Sequence, residues 1–225
     1  MSESLSGKLV VLTGAGGAFA GVVAPVLQGA GARLALVGHG QNLAQEAEYL
    51  GAEFALQADL TNPEDAARLA EWPAFALVHT VGGFALQKAQ EATPLDARKM
   101  FALNFDTLFH SVHALLPGML ARGEGRIVGI SAGQAARLVG AGAALYTASK
   151  AALSAYLRSL DAELKSSGVR ASVVYPMGAI DSAANREGGL KSEAMIEPRD
   201  LAEGVLYILT RSKRGVVDEL RVNPA

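Results

Sequence analysis

Apolar residues come along this chain in short runs, each followed by a longer stretch of helical character. KLVVLT (Lys8 to Thr13), RLALVG (Arg33 to Gly38), EFALQ (Glu53 to Gln57), FALVHT (Phe75 to Thr80), RIVGIS (Arg126 to Ser131) and RASVVY (Arg170 to Tyr175) have the length and apolar character of buried parallel strands. The first helical segment runs from about Ala18 to Gln28 and is closed by Gly29 and Gly31. Pro25 inside it removes a hydrogen bond and predicts a kinked axis. Another helix opens at Thr93-Pro94, with Asp96 completing a partial capping box. Strand and helix alternate over the whole length. This predicts one α/β domain over residues 1–225, a doubly wound parallel sheet with helices on both faces. No linker, repeat or low-complexity segment interrupts it.

Composition narrows the function classes. A chain of 225 residues with 50% hydrophobic content closes a full core without staples, and the absence of cysteine excludes disulfides and thiolate metal sites. No metal site is expected. A net charge of -2 leaves no electrostatic footprint for nucleic acid, and the one basic run, RSKR from Arg211 to Arg214, reads as a solvated loop. The opening MSESLSGKLVVLTG has neither a basic leader nor a cleavable apolar segment, and no apolar run is long enough to span a bilayer. The expectation is a cytoplasmic protein with no membrane partner.

Two motifs carry chemistry. In LYTASKAALSAYL, Tyr146 and Lys150 stand four apart on one helix face, so both polar tips can reach one spot. An ammonium beside a phenol lowers the phenol pKa, and such a tyrosine can exchange a proton near neutral pH. TGAGGAFAG, Thr13 to Gly21, lies between the first strand and the first helix. Glycines there let the backbone approach a pyrophosphate, with Gly14, Gly16 and Gly17 as the flexible positions and the helix amides behind them. The second strand ends at Gly38-His39, without an acidic residue to accept a ribose hydroxyl. That absence favours NADP over NAD. His39 reads equally as a 2′-phosphate contact and as an exposed loop residue. Asp59, in QADLT, is placed either to reach an adenine edge, with Leu60 behind it, or to cap the helix ahead of Pro63.

Taken together, the glycine loop, Asp59-Leu60, Tyr146 and Lys150 resemble the short-chain dehydrogenase/reductase family over essentially the whole chain. The resemblance implies a Rossmann-like fold of seven parallel strands, an NADP or NAD cofactor, and a carbonyl or alcohol substrate. It sets Phe19, Gly82, Pro176 and Ile180 beside the cofactor. It makes Asn104, in FALNFDTLF, the residue that links the lysine to a proton-relay water. The family's loop is TGxxxGxG, whereas Ala18 and Ala20 stand at the later glycine positions here; its NNAG segment appears as HTVG, His79 to Gly82. Its catalytic serine lies 13 residues before the tyrosine, which is Gly133 in this chain. Ser131 takes that role only if the loop AGQAARLVGAGAA brings it to the substrate; otherwise it satisfies backbone groups. YPMGAIDSAANR, Tyr175 to Arg186, is similar to the dihydropteridine reductase-like branch.

The resemblance therefore implies an oxidoreductase in which Tyr146 is the general acid and base, with Lys150, Asn104 and Ser131 around it. Phe84, Leu138, Val139 and Met177 would form an apolar pocket, and the segment from Gly178 to Pro198 a lid. A homodimer or homotetramer is implied through the helices of Tyr146 and Asn104. Ala148, Ala151, Ala152 and Ala155 line the former, facing either a partner or the sheet. Two rivals stand beside this reading. One is a non-catalytic NADP-binding regulator of the same fold. The other is a nucleotide-sugar epimerase-like enzyme, supported by the TGxxG spacing but lacking the length for an extra substrate lobe.

Overall fold

A computed structural model describes residues 4–212 and 214–225. Met1 to Glu3 of the N-terminal stretch, and Lys213 of the basic run, lie outside the described residues. The chain proceeds through β1 (Leu9–Thr13), α1 (Ala20–Gly29), β2 (Arg33–Gly38), α2 (Leu43–Tyr49), β3 (Phe54–Gln57), α3 (Pro63–Ala67) and β4 (Ala76–His79). It continues through α4 (Pro94–Phe101), a π-helical turn (Ala102–Asp106), α5 (Thr107–Arg122), β5 (Gly125–Ile130), α6 (Gly133–Arg137) and α7 (Ala144–Glu163). β6 (Val169–Pro176), α8 (Ala183–Glu187), α9 (Pro198–Leu209) and β7 (Glu219–Val222) complete it.

All seven strands pair in parallel in the order β3-β2-β1-β4-β5-β6-β7. The chain winds outward from β1 to β3, then returns to lay β4 on the other side of β1. Every strand therefore ends on the same edge, and a crevice opens between the carboxyl ends of β1 and β4. The period of two along β1 divides its side chains between two cores. Val10 and Leu12 pack with Leu27 of α1 and Val205 of α9, while Leu9 and Val11 face the side covered by Leu108 of α5 and Leu153 of α7.

The predicted strands fall within one or two residues of the observed ones, and β7 is the addition. Its four residues sit at a half-exposed edge, so no buried apolar run announces them. α1 runs unbroken through Pro25, which lies on the exposed face, where the carbonyl deprived of its donor meets water. At α4 the capping box is complete: Thr93 Oγ1 accepts from the Asp96 amide at 3.2 Å and Asp96 accepts from the Thr93 amide at 2.9 Å. On α7, Ala148 and Ala155 are exposed, and Lys150, Leu153, Ser154 and Leu157 face the sheet. Ala148 and Ala155 thus belong to the outer surface, while Ala151 and Ala152 are half-buried. Among the described residues, no helix is long and apolar enough to cross a membrane.

Candidate active site

α7 begins beside the ends of β5 and β6, which carries Tyr146 and Lys150 to the edge where the strands terminate. Lys150 is buried, and its ammonium donates to the Ile130 carbonyl at 2.9 Å. Burial lowers its pKa to about 8, so the charged form remains the majority at neutral pH. Tyr146 behaves opposite to the sequence expectation. Burial pushes its phenol up to about 12. The rings of Phe84 and Tyr146 pack edge-to-face with centroids 4.9 Å apart, and the Lys150 ammonium donates to a carbonyl. Desolvation of the phenolate is the cause, and it favours the protonated phenol.

The π-helical turn between α4 and α5 inserts Asn104 toward this pair. Turns of this kind widen a helix and re-aim one side chain. Asn104 is buried, and it grips the backbone of Gly83 twice: Oδ1 accepts from its amide and Nδ2 donates to its carbonyl, both at 3.0 Å. Nδ2 also donates to Ser149 Oγ at 3.1 Å. A Cβ on Gly82 would lie 2.7 Å from Lys150 Nζ and 2.8 Å from Asn104 Oδ1. Only glycine lets the lysine and the asparagine converge there.

Ser131 lines the cleft, yet its hydroxyl is engaged with α7, 2.7 Å from Ser154 Oγ and 3.2 Å from the Lys150 carbonyl. The loop after it contains the short helix α6 rather than irregular chain. At Gly133 a Cβ would meet the Met177 backbone at 2.9 Å, so a serine does not fit that position without a shift. Gln134 and Arg137, both on α6, line the cleft instead. Sequence reading missed them because a one-turn helix of small residues reads as loop.

At the other end, Gly14 adopts φ +83° and its amide donates to the Val37 carbonyl at 2.9 Å, turning the chain out of β1. A side chain there would strike Thr80 Oγ1, which donates to the Thr13 carbonyl at 2.7 Å. Gly17 bonds back to Gly14, and the Gly16 amide donates to Glu46 of α2 at 2.8 Å. Phe19, Gly82, Pro176 and Ile180 line the cleft. His39, Asp59 and Leu60 lie at the ends of β2 and β3, outside that lining. Asp59 does not cap the helix ahead of Pro63: that cap is Asn62, which accepts from the Glu64 amide at 2.9 Å. Asp59 instead accepts from the Thr61 hydroxyl and amide, which hold its carboxyl below the usual range.

His79 contributes a buried polar link that the HTVG segment hid. Thr107 Oγ1 donates its proton to the Leu103 carbonyl at 2.8 Å, so His79 Nε2 donates to Thr107 at 3.2 Å. Nδ1 then accepts from Thr13 Oγ1 at 2.9 Å. Burial first, and Lys150 second, hold the imidazole neutral with a pKa lowered to about 3. The end of β1, the end of β4 and the π-helical turn are thereby tied together.

These groups surround a cleft of about 670 Å³. It extends from Ala18 and Phe19 to Tyr146 and Lys150, closed on the far side by Met177 to Ser182, Asn185 and Leu190. The expected lid segment therefore forms a wall, pinned where Asn185 Nδ2 donates to the Ile180 carbonyl at 2.7 Å. Phe84 and Met177 line the cleft as expected, but Leu138 and Val139 do not. They are 75% and 69% exposed, because α6 ends at Arg137 and turns them outward.

Fold and site define a Rossmann-like α/β protein with a glycine loop at one end of its crevice and a Tyr-Lys pair at the other. The chain belongs to the short-chain dehydrogenase family, whose model matches residues 8–191, and is an oxidoreductase. It is 27% identical over 230 residues to an uncharacterized oxidoreductase of Staphylococcus aureus strain USA300, covering 98% of both chains. Two solved structures from metagenomic sources are similar throughout. A blue fluorescent protein in complex with NADPH shares 28% identity at a TM-score of 0.87, covering 99% of this chain and 98% of that one. A short-chain oxidoreductase in complex with NADP shares 26% at a TM-score of 0.84, covering 99% of each.

Proposed function

We propose that the protein, as one catalytic domain over residues 1–225 acting in the cytoplasm, reduces a small carbonyl or imine substrate with NADPH. The observation that carries this is the presence of Tyr146 and Lys150 in the lining of a 670 Å³ cleft at the crevice, with Asn104 buried behind Gly82 and Gly83 of the same lining. The cradle fits a dinucleotide: side chains are excluded at Gly14 and Gly82, where a Cβ would strike Thr80 and Lys150. Gly14, Gly16, Gly17 and Phe19 would hold its phosphate end, and Gly82, Pro176 and Ile180 its nicotinamide end. Asp59 and Leu60 would border the adenine. Glu46, seated on the Gly16 amide, competes with any anion there. NADP is favoured because β2 ends without an acidic residue, with His39 beside it, and because the two solved relatives carry NADP or NADPH.

Bound in this cradle, NADPH supplies the hydride that the substrate carbon takes up. Tyr146 gives its proton to the oxygen or nitrogen as that atom gains charge, so a carbonyl becomes an alcohol. A phenol held at about 12 is in the protonated form this step needs. Lys150 keeps positive charge next to the reacting groups, and Asn104 fixes Gly83 beneath them. Ser131, bonded to α7, holds the helix of Tyr146 in place rather than touching substrate. The closed Gly133 position agrees with the resemblance to the dihydropteridine reductase-like branch, which often lacks that serine.

Tyr146→Phe tests the reading. NADPH-dependent carbonyl reduction is expected to fall by about a hundredfold or more, with NADPH affinity within a factor of about two. Undiminished turnover in that variant would refute it, and tight cofactor binding without turnover in the parent would favour the regulator.

A further inference from the structure

We propose that Arg137 selects the substrate by binding a carboxylate on it, so that the cleft takes an apolar carbonyl compound bearing an acid group. The inference rests on the carbonyl-reduction reading. Among the described residues, three charged side chains line the cleft: Arg137, Lys150 and Asp181. Lys150 is buried and bonded to Ile130. Asp181 is neutralised by Arg186 at 2.6 Å. Arg137 meets no carboxylate among the described residues; its hydrogen bond goes to the Met177 carbonyl at 3.4 Å. A guanidinium has five N–H donors in a planar fork that matches a carboxylate, so most of its capacity remains for a ligand.

Its place in the fold separates it from the cofactor phosphates. Arg137 follows β5 and reaches the residue after β6, whereas the glycine loop leaves β1. β1 and β6 are three strands apart, which is about 14 Å along the sheet edge. The guanidinium therefore belongs to the end of the cleft away from the glycine loop, and Tyr146 lines the same cleft.

The local chain is built to hold it there. Leu138, directly after Arg137, takes φ +55°, the left-handed conformation that L side chains avoid. Leu138 is exposed, so packing does not impose that turn. The backbone does, through Leu138 to Ala135 and Val139 to Gln134 at 3.3 and 3.1 Å. The strained stop ends α6 with Arg137 at the cleft. Phe84, Leu86 and Leu190 line the same cleft and are exposed, a surface for an aryl or alkyl body.

Calorimetric titration of para-formylbenzoate and of its neutral methyl ester, each into protein with excess NADP, tests this. The wild type is expected to bind the acid about tenfold more tightly than the ester, as a bidentate charge-assisted contact provides. Arg137→Met should erase the preference and Arg137→Lys retain part of it, with NADPH affinity reporting that each variant is folded. Equal affinities in the wild type, no binding of the acid, or a preference surviving in Arg137→Met overturns the inference. An acid preference without NADPH-dependent reduction of either compound would support the Arg137 site and overturn the carbonyl-reduction reading instead.

Discussion

His79 is neutral because charging it would leave an imidazolium without water between two threonine hydroxyls and near the Lys150 ammonium. That state has a thermodynamic consequence. Its pKa is about 3 in the folded protein, against about 6.5 for a solvated histidine. Below pH 6.5 the unfolded chain takes up a proton that the folded chain refuses, so stability declines as pH falls toward 3. The slope approaches about 1.4 kcal/mol per pH unit. Carboxyls held low by hydrogen bonds, such as Asp96 with a pKa of about 2, lose their contribution only further down. Urea midpoints between pH 6 and 4.5 should therefore fall more steeply for the wild type than for His79→Gln. Parallel slopes would mean that the imidazole is not held neutral.

At the level of elements, α7 is core and site at once. The face that buries Leu153 and Leu157 against the sheet also carries Lys150 and the Ser154 that Ser131 binds. A helix fixed by packing holds its polar groups within the tolerance proton transfer requires. Leu153→Ala opens a cavity under the helix and should cost about 2–5 kcal/mol in chemical denaturation. Because the cavity lies one turn from Lys150, kcat should fall as well; a destabilised variant with unchanged kcat would show that α7 is positioned by other contacts. The π-helical turn is the complementary device. It displaces Asn104 from the regular α4–α5 face, where it clamps Gly83 and leaves the cradle floor glycine-lined.

For the molecule as a whole, the outer faces of α5 and α7 remain to be accounted for. Phe105 and Phe109 stack at 6.3 Å, and both meet Tyr156 edge-on at 5.8 Å. Phe109 is 40% exposed and packs on Tyr156, the neighbour of the exposed Ala155 of α7. Such a patch supports the homodimer or homotetramer that the family resemblance implies, with small residues allowing two helices to approach closely. Phe109→Lys should lower the mass measured by light scattering while leaving the far-ultraviolet circular dichroism unchanged. An unaltered mass would move the interface elsewhere.

Six strands, the glycine loop and the Tyr146–Lys150 pair were legible in the sequence because they rest on local rules. Apolar runs bury, glycine turns, and residues four apart share a helix face. The charge state of Tyr146 was not, because it depends on how much water the assembled cleft removes from a phenol. Neither was the link through His79, whose partners come from β1 and α5, nor the presence of Arg137 at the cleft, which depends on a one-turn helix stopped by a strained leucine. Local sequence specified the parts; which polar groups meet, and in what solvent, was decided only when distant strands and helices closed around them.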